Sequence, residues 1–176
     1  MQLIRENSDK LLSMEQLRVN KGNGQSYGYI VYRKRMNLKD GAKIKIRGHV
    51  RDLLQLMING VMVNDPIKKI ADLVYFGSWG PKLVHSSSRL CPLQMTFDLF
   101  LRDTEFTVDL SKVPGGCDDG CVVDFMVENL GRANFGQPHQ FDQKKGLWEG
   151  PVIIDGEEIS DWEIIPMEFK NKWVQE

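Results

Sequence analysis

The chain has 176 residues, 41% of them hydrophobic and 27% charged, with a formal net charge of -1, which is the make-up of one globular domain with a sizeable core rather than of a disordered chain. Its 23 Lys+Arg and 24 Asp+Glu nearly cancel, so no global positive field draws it to a phosphate backbone and nucleic acid is not an expected partner. No run reaches the roughly 18–20 apolar residues of a bilayer span, and Met1 to Lys10 show no charged, apolar and small-residue leader pattern, so neither a membrane partner nor a signal peptide is expected.

Residues 1–20 read as a lead-in segment. Within it Leu11 to Leu17 hints at a helix, with Ser13 as N-cap and Glu15-Gln16 behind it, although the stretch is shorter than an autonomous helix requires. The loop Gly22-Asn23-Gly24-Gln25-Ser26-Tyr27-Gly28 invites comparison with a phosphate-cradling loop. Its spacing is wrong for a dinucleotide or Walker loop and strand-like residues follow, so it reads as a turn. Strands are predicted at Gly28–Arg33, Ala42–Arg47 and Leu53–Ile58, short β-branched or aromatic runs bounded by turn formers. Lys43 to Arg47 alternates charged and apolar side chains, as a strand with one wet face does. Arg33-Lys34-Arg35 is a solvated strand end.

From Lys68 to Arg102 the apolar residues keep no period, and the stretch reads as an insertion at about 68–102. Beyond it, strands are predicted at Phe106–Leu110, Val122–Val127, Gly150–Gly156, which ends on an Asp-Gly turn, and Asp161–Pro166. Residues 171–176 form a tail, leaving 21–170 as a single domain. Many short strands without alternating helices predict an all-β fold, a β-sandwich of jelly-roll type. Its expected core includes Tyr29, Val31, Ile44, Ile46, Leu54, Val123, Phe125, Val127 and Trp162.

Three cysteines allow at most one internal bridge. Cys117 and Cys121 flank the turn-forming Asp118-Asp119-Gly120, which can fold back and bring the sulfurs into range, so this pair is the candidate disulfide. His49, His85 and His139 stand singly, and neither a metal nor another cofactor is predicted. There is no nucleophile elbow. Glu105, Glu128 and Glu149 are glycosidase carboxylates by type alone, and a sequence cannot show the close pairing that retaining chemistry needs, so no catalytic residue is assigned.

The most informative segment is Val127-Glu128-Asn129-Leu130-Gly131-Arg132-Ala133-Asn134-Phe135-Gly136, which leaves a strand and enters a loop with two glycines, a guanidinium, amides and an aromatic ring. Such a mixture serves a tightly hydrogen-bonded turn, where Arg132 donates to carbonyls or to a carboxylate such as Glu128. It serves a sugar contact equally, with the ring on the apolar face of a pyranose and the planar groups on its hydroxyls.

Taken with Ser13-Met14-Glu15-Gln16-Leu17, Gly24 to Tyr32, Val50-Arg51-Asp52, Ile58-Asn59-Gly60, Lys145-Gly146-Leu147 and Asp161-Trp162, in that order along the chain, this string resembles the first accessory β-domain of family 35 β-galactosidases. The likeness covers about residues 11–67 and 103–169. It implies a galactose-binding-domain-like sandwich in a parent that hydrolyses terminal β-galactose with retention, using two Glu on a TIM barrel that precedes this domain. The expected role is therefore a non-catalytic accessory domain, with the barrel as partner in cis and galactosides as ligands; the alternatives are a free carbohydrate-binding module and a protein-interaction domain. By the same likeness the Arg132-Asn134 loop, with Glu128 and Asn129 at its start, faces the barrel, and Phe135 borders the galactose pocket. Relatives commonly carry Tyr there, so Phe135 keeps a stacking face and lacks the hydroxyl. Relatives are secreted or lysosomal, and they have a short connection where this chain has its 68–102 insertion.

Overall fold

A computed structural model describes residues 4–63, 104–117, 119–131 and 144–170. The predicted insertion at 68–102, the tail 171–176 and the loop residues Arg132, Asn134 and Phe135 lie outside them. In chain order the strands are β1 (Glu6–Ser8), β2 (Tyr29–Met36), β3 (Lys43–Ile46), β4 (His49–Arg51), β5 (Leu53–Ile58), β6 (Val61–Met62), β7 (Thr104–Thr107), β8 (Cys121–Glu128), β9 (Gly146–Trp148), β10 (Val152–Ile154), β11 (Glu157–Ile159) and β12 (Trp162–Met167). All pairings are antiparallel. They build a six-stranded sheet in the order β1-β12-β2-β8-β5-β6, a four-stranded sheet β11-β10-β3-β7 and a two-stranded ribbon β4-β9.

The expected all-β sandwich is what forms. Six of the seven predicted strands are present, with apolar side chains at alternate positions in register across the sheets; the one predicted at Phe106–Leu110 is displaced to Thr104–Thr107, with Leu110 opening a 3-10 turn after it. One row runs Leu56, Phe125, Tyr32, Ile164 and the next Leu54, Val127, Ile30, Pro166. From the other sheet Ile44, Ile46, Val152 and Ile154 join the same buried cluster. Phe125 meets Trp162 edge to face at 5.6 Å, a geometry worth about 0.5–1.5 kcal/mol beyond the burial of the rings. Two hairpins are set by their turn residues. Asn59-Gly60 and Asp155-Gly156 all take positive φ, as a two-residue turn matched to the strand twist requires, and the Asn59 and Asp155 carboxamide and carboxylate oxygens accept from Val122 N and Lys43 N at 2.9 and 2.8 Å.

Two expectations need correction. In β2 the core face belongs to Ile30 and Tyr32, both 0% exposed, and Tyr29 is only partly buried. Tyr29-Ile30-Val31-Tyr32 is apolar at four successive positions, so a period of two fits either parity; pairing to β8 settles it. Val31 is buried, but outside the central cluster. It lies on the outer face beside Met126 and Ile165, one step from the Arg33–Asp124 pair.

The segment read as a lead-in is woven into the sandwich. β1 forms an edge strand on β12, and Met14 and Leu17 are core residues. The helix hinted at over Leu11–Leu17 is one 3-10 turn, Met14–Gln16, with the Gln16 side chain accepting from Ser13 N at 2.9 Å.

Candidate functional site

The informative segment begins where β8 ends. Val127 is the last core side chain of β8, and Glu128 and Asn129 carry the chain outward. The Asn129 side chain secures this exit by donating to Ser26 O at 3.0 Å and accepting from Gly131 N at 2.9 Å, while its backbone N donates to Gly28 O at 3.0 Å. The glycine-rich loop is thus the turn that supports the exit. Gln25, 1% exposed, holds it by donating to Tyr27 O and Tyr29 O at 2.8 and 2.7 Å. Gly28 has φ +85, and a Cβ there would come within 2.2 Å of Met167 O, so only glycine lets β2 start against β12.

The Glu128 carboxylate receives the Tyr29 hydroxyl; burial first, and then this bond and its charge, push the Tyr29 phenol above its ordinary range. Arg132, Asn134 and Phe135 lie outside the described residues, so of the segment's expected site residues Glu128 and Asn129 are those the structure places.

Sequence reasoning missed the group that organises this region. Asp52, between β4 and β5, accepts from Leu130 N at 2.8 Å and from Lys145 Nζ at 2.8 and 2.7 Å through both carboxylate oxygens, while its own N donates to Glu128 O at 3.0 Å. Lys145 is 0% exposed. Its backbone N donates to the Glu15 carboxylate at 3.2 and 3.0 Å, and its carbonyl accepts from Met14 N at 2.8 Å. A lysine this deep keeps its charge only beside a fixed counter-charge, and Asp52 supplies one held in place by two backbone bonds. Leu130 and Lys145, on either side of residues 132–143, are therefore joined through a single buried ion pair. The available signal lay in Val50-Arg51-Asp52 and Lys145-Gly146-Leu147, which stood out in the sequence and here lie side by side as β4 and β9, with Arg51 opposite Gly146 and Val50 opposite Leu147.

At the far end of the β4–β9 ribbon His49 stacks on Trp148, with ring centroids 4.9 Å apart and planes at 20°, and its Nε2 lies 3.1 Å from Glu149. Arg51 and Lys144 approach the Trp148 ring at 5.8 and 5.3 Å. The three carboxylates considered by type have separate partners: Glu105 is 3.7 Å from Lys45, Glu128 meets Tyr29 and Glu149 meets His49. On the opposite end of the sheet Cys117 and Cys121 are joined, with Cα atoms 5.0 Å apart, and both are buried at the edge of the core.

Comparison with known proteins adds two findings. Residues 93–168 match the family model described as the first all-beta domain of beta-galactosidase. The chain is also 27% identical over 168 residues to beta-galactosidase-1-like protein 2 of Homo sapiens; the match covers 96% of this chain and 19% of that protein. The chain thus spans about a fifth of the length of the curated relative it matches.

Proposed function

We propose that this chain, an accessory all-β domain of the β-galactosidase type, acts without catalytic carboxylates of its own, as the wall that braces a catalytic barrel and closes one side of its galactoside pocket. The observation that carries this reading is the convergence of three separate strings, Val50-Arg51-Asp52, Val127 to Gly131 and Lys145-Gly146-Leu147, on the Asp52–Lys145 pair. The chain on both sides of residues 132–143 is tied to one buried charge pair, and breaking such a pair at one partner is strongly destabilising. A domain that presents those residues to a partner gains from such a tie, since binding groups work best on a rigid base.

In this reading Phe135 borders the sugar, offering a stacking face without a hydroxyl, and Arg132 and Asn134 face the barrel. The sandwich takes the jelly-roll, galactose-binding-like form, and the parent acts as a retaining β-galactosidase in the secretory route or lysosome.

The test is twofold. An NMR titration of the 176-residue chain with galactose and lactose should move resonances around Phe135 only weakly, because the rest of the pocket belongs to the barrel. Release of a chromogenic aglycone from a β-galactoside should be absent. Turnover that survives removal of contaminating enzyme would overturn the accessory reading. Tight, saturable shifts at Phe135 would instead make the chain a binding module in its own right.

A further inference from the structure

We infer that Asp52 is a positioning residue that couples the two flanks of the 132–143 segment into one cooperative unit, distinct from the rest of the sandwich. The geometry is unusual for a pair that merely fills space. One carboxylate, 7% exposed, receives the Lys145 ammonium, two residues past the segment, through both oxygens and the Leu130 backbone N–H, two residues before it, through one of them. Its own backbone N–H is bonded to Glu128 O, so the carboxylate is anchored to the strand that the leading flank leaves. On the trailing side the Lys145 backbone is bonded at both its N–H and its carbonyl to the Glu15 side chain and Met14, and Leu147 N donates to Tyr32 Oη.

Leu130 and Lys145 are 15 residues apart in sequence, yet each reaches the other through a single intervening side chain. Hydrogen bonds to a charged group are about twice as strong as neutral ones, and their loss is felt by every group that shares the charge. Release at one flank should therefore release the other, while β2, β8 and β12, which pair elsewhere along their length, remain closed.

The inference rests on the proposed function only in giving the segment a task, and it is tested without sugar. In the double variant Asp52→Leu/Lys145→Met an apolar pair replaces the buried charges, a change that often leaves stability intact. Hydrogen exchange should then quicken by about 10- to 100-fold at the amides of residues 130 and 145 together, with those of Ile30, Phe125 and Ile164 unchanged. If residue 145 keeps its original protection through Glu15 while 130 loses its own, or if every sheet amide quickens equally, Asp52 is not a coupling residue.

Should the variant fail to fold, native-state exchange of the unaltered chain in sub-denaturing urea decides the matter. The Leu130 and Lys145 amides must open with one free energy and one urea dependence; two separate openings would overturn the inference. A coupled opening in a chain that also turns over a β-galactoside would overturn the proposed function and leave the coupling in place.

Discussion

Replacing Tyr32 by Phe removes one oxygen and should cost about 2 kcal/mol, since a buried donor left without its acceptor loses roughly 1–3 kcal/mol. Tyr32 is 0% exposed. Its hydroxyl donates to Leu12 O at 2.7 Å and accepts from Leu147 N at 2.9 Å, so the change orphans a buried N–H on β9 and unties the N-terminal segment from the six-stranded sheet. In urea at pH 8 the midpoint should fall with an unchanged m-value.

An alkaline leg isolates the hydroxyl. Burial is the largest influence on this phenol and drives it far above its usual 10.0; the bond to Leu147 opposes that shift and the Glu15 charge adds to it. With the folded-state value raised, the associated stability is complete below pH 10 and drains away as the pH rises, because the unfolded chain ionises first. At pH 11 the unfolded phenol is about 90% ionised and the wild type should lose about 1.4 kcal/mol that the Phe variant does not. The gap between the two proteins should therefore narrow from about 2 to below about 1 kcal/mol between pH 8 and pH 11. Equal midpoints at pH 8, or a gap that stays constant with pH, would refute the assignment of Tyr32 as the buried link.

Two further outcomes follow from the same interior. Gly146→Ala places a Cβ 2.3 Å from Tyr32 Oη at φ +102, and should cost about 3 kcal/mol in a chemical melt from strain and overpacking; in a Tyr32→Phe background it should cost less, because the opposing oxygen is gone, and strict additivity would count against the contact. Reducing the Cys117–Cys121 link, which closes a loop of sequence separation 4, should lower stability by about 2 kcal/mol on chain-entropy grounds and the melting temperature by roughly 4–8 °C, while a Cys117→Ser/Cys121→Ser variant should melt at the same temperature with or without reductant.

The strands that sequence could locate are those whose own side chains specify them. Lys43-Ile44-Lys45-Ile46 alternates and forms β3 with Ile44 and Ile46 inside. Val122 to Val127 is β-branched or aromatic at most positions, as the centre of a sheet demands. The strands it could not locate are two or three residues long and owe their form to neighbours. Glu6-Asn7-Ser8 has no strand-forming residue and is a strand only because the β12 edge is open to it, while Glu157-Glu158-Ile159 exists as the return of the Asp155-Gly156 turn. The wrong face assigned to Tyr29 has the same origin, since a four-residue apolar run contains no parity until a partner strand imposes one.

The candidate site was harder to read for an electrostatic reason. Lys145 follows Lys144 and precedes Gly146, a context that reads as solvated, and Asp52 follows Arg51, at a sequence separation of 93 from its ammonium. The energy that buries a charge is a property of the pair, and neither member carries it alone. What the local sequence does carry is parity on β9. Lys145 immediately precedes the Gly146–Trp148 strand, one residue before the glycine that opens room for Tyr32 and two before the buried Leu147. Its backbone is committed to the interior by Glu15 and Met14 before its side chain has found a partner. A charged residue pinned at such a point has two outcomes, a costly unpaired cation or a carboxylate delivered by another element. The β4–β9 pairing delivers Asp52 to that spot, which is why the two strings, which stand out in the sequence without showing an ion pair, reveal it only in the register of the ribbon.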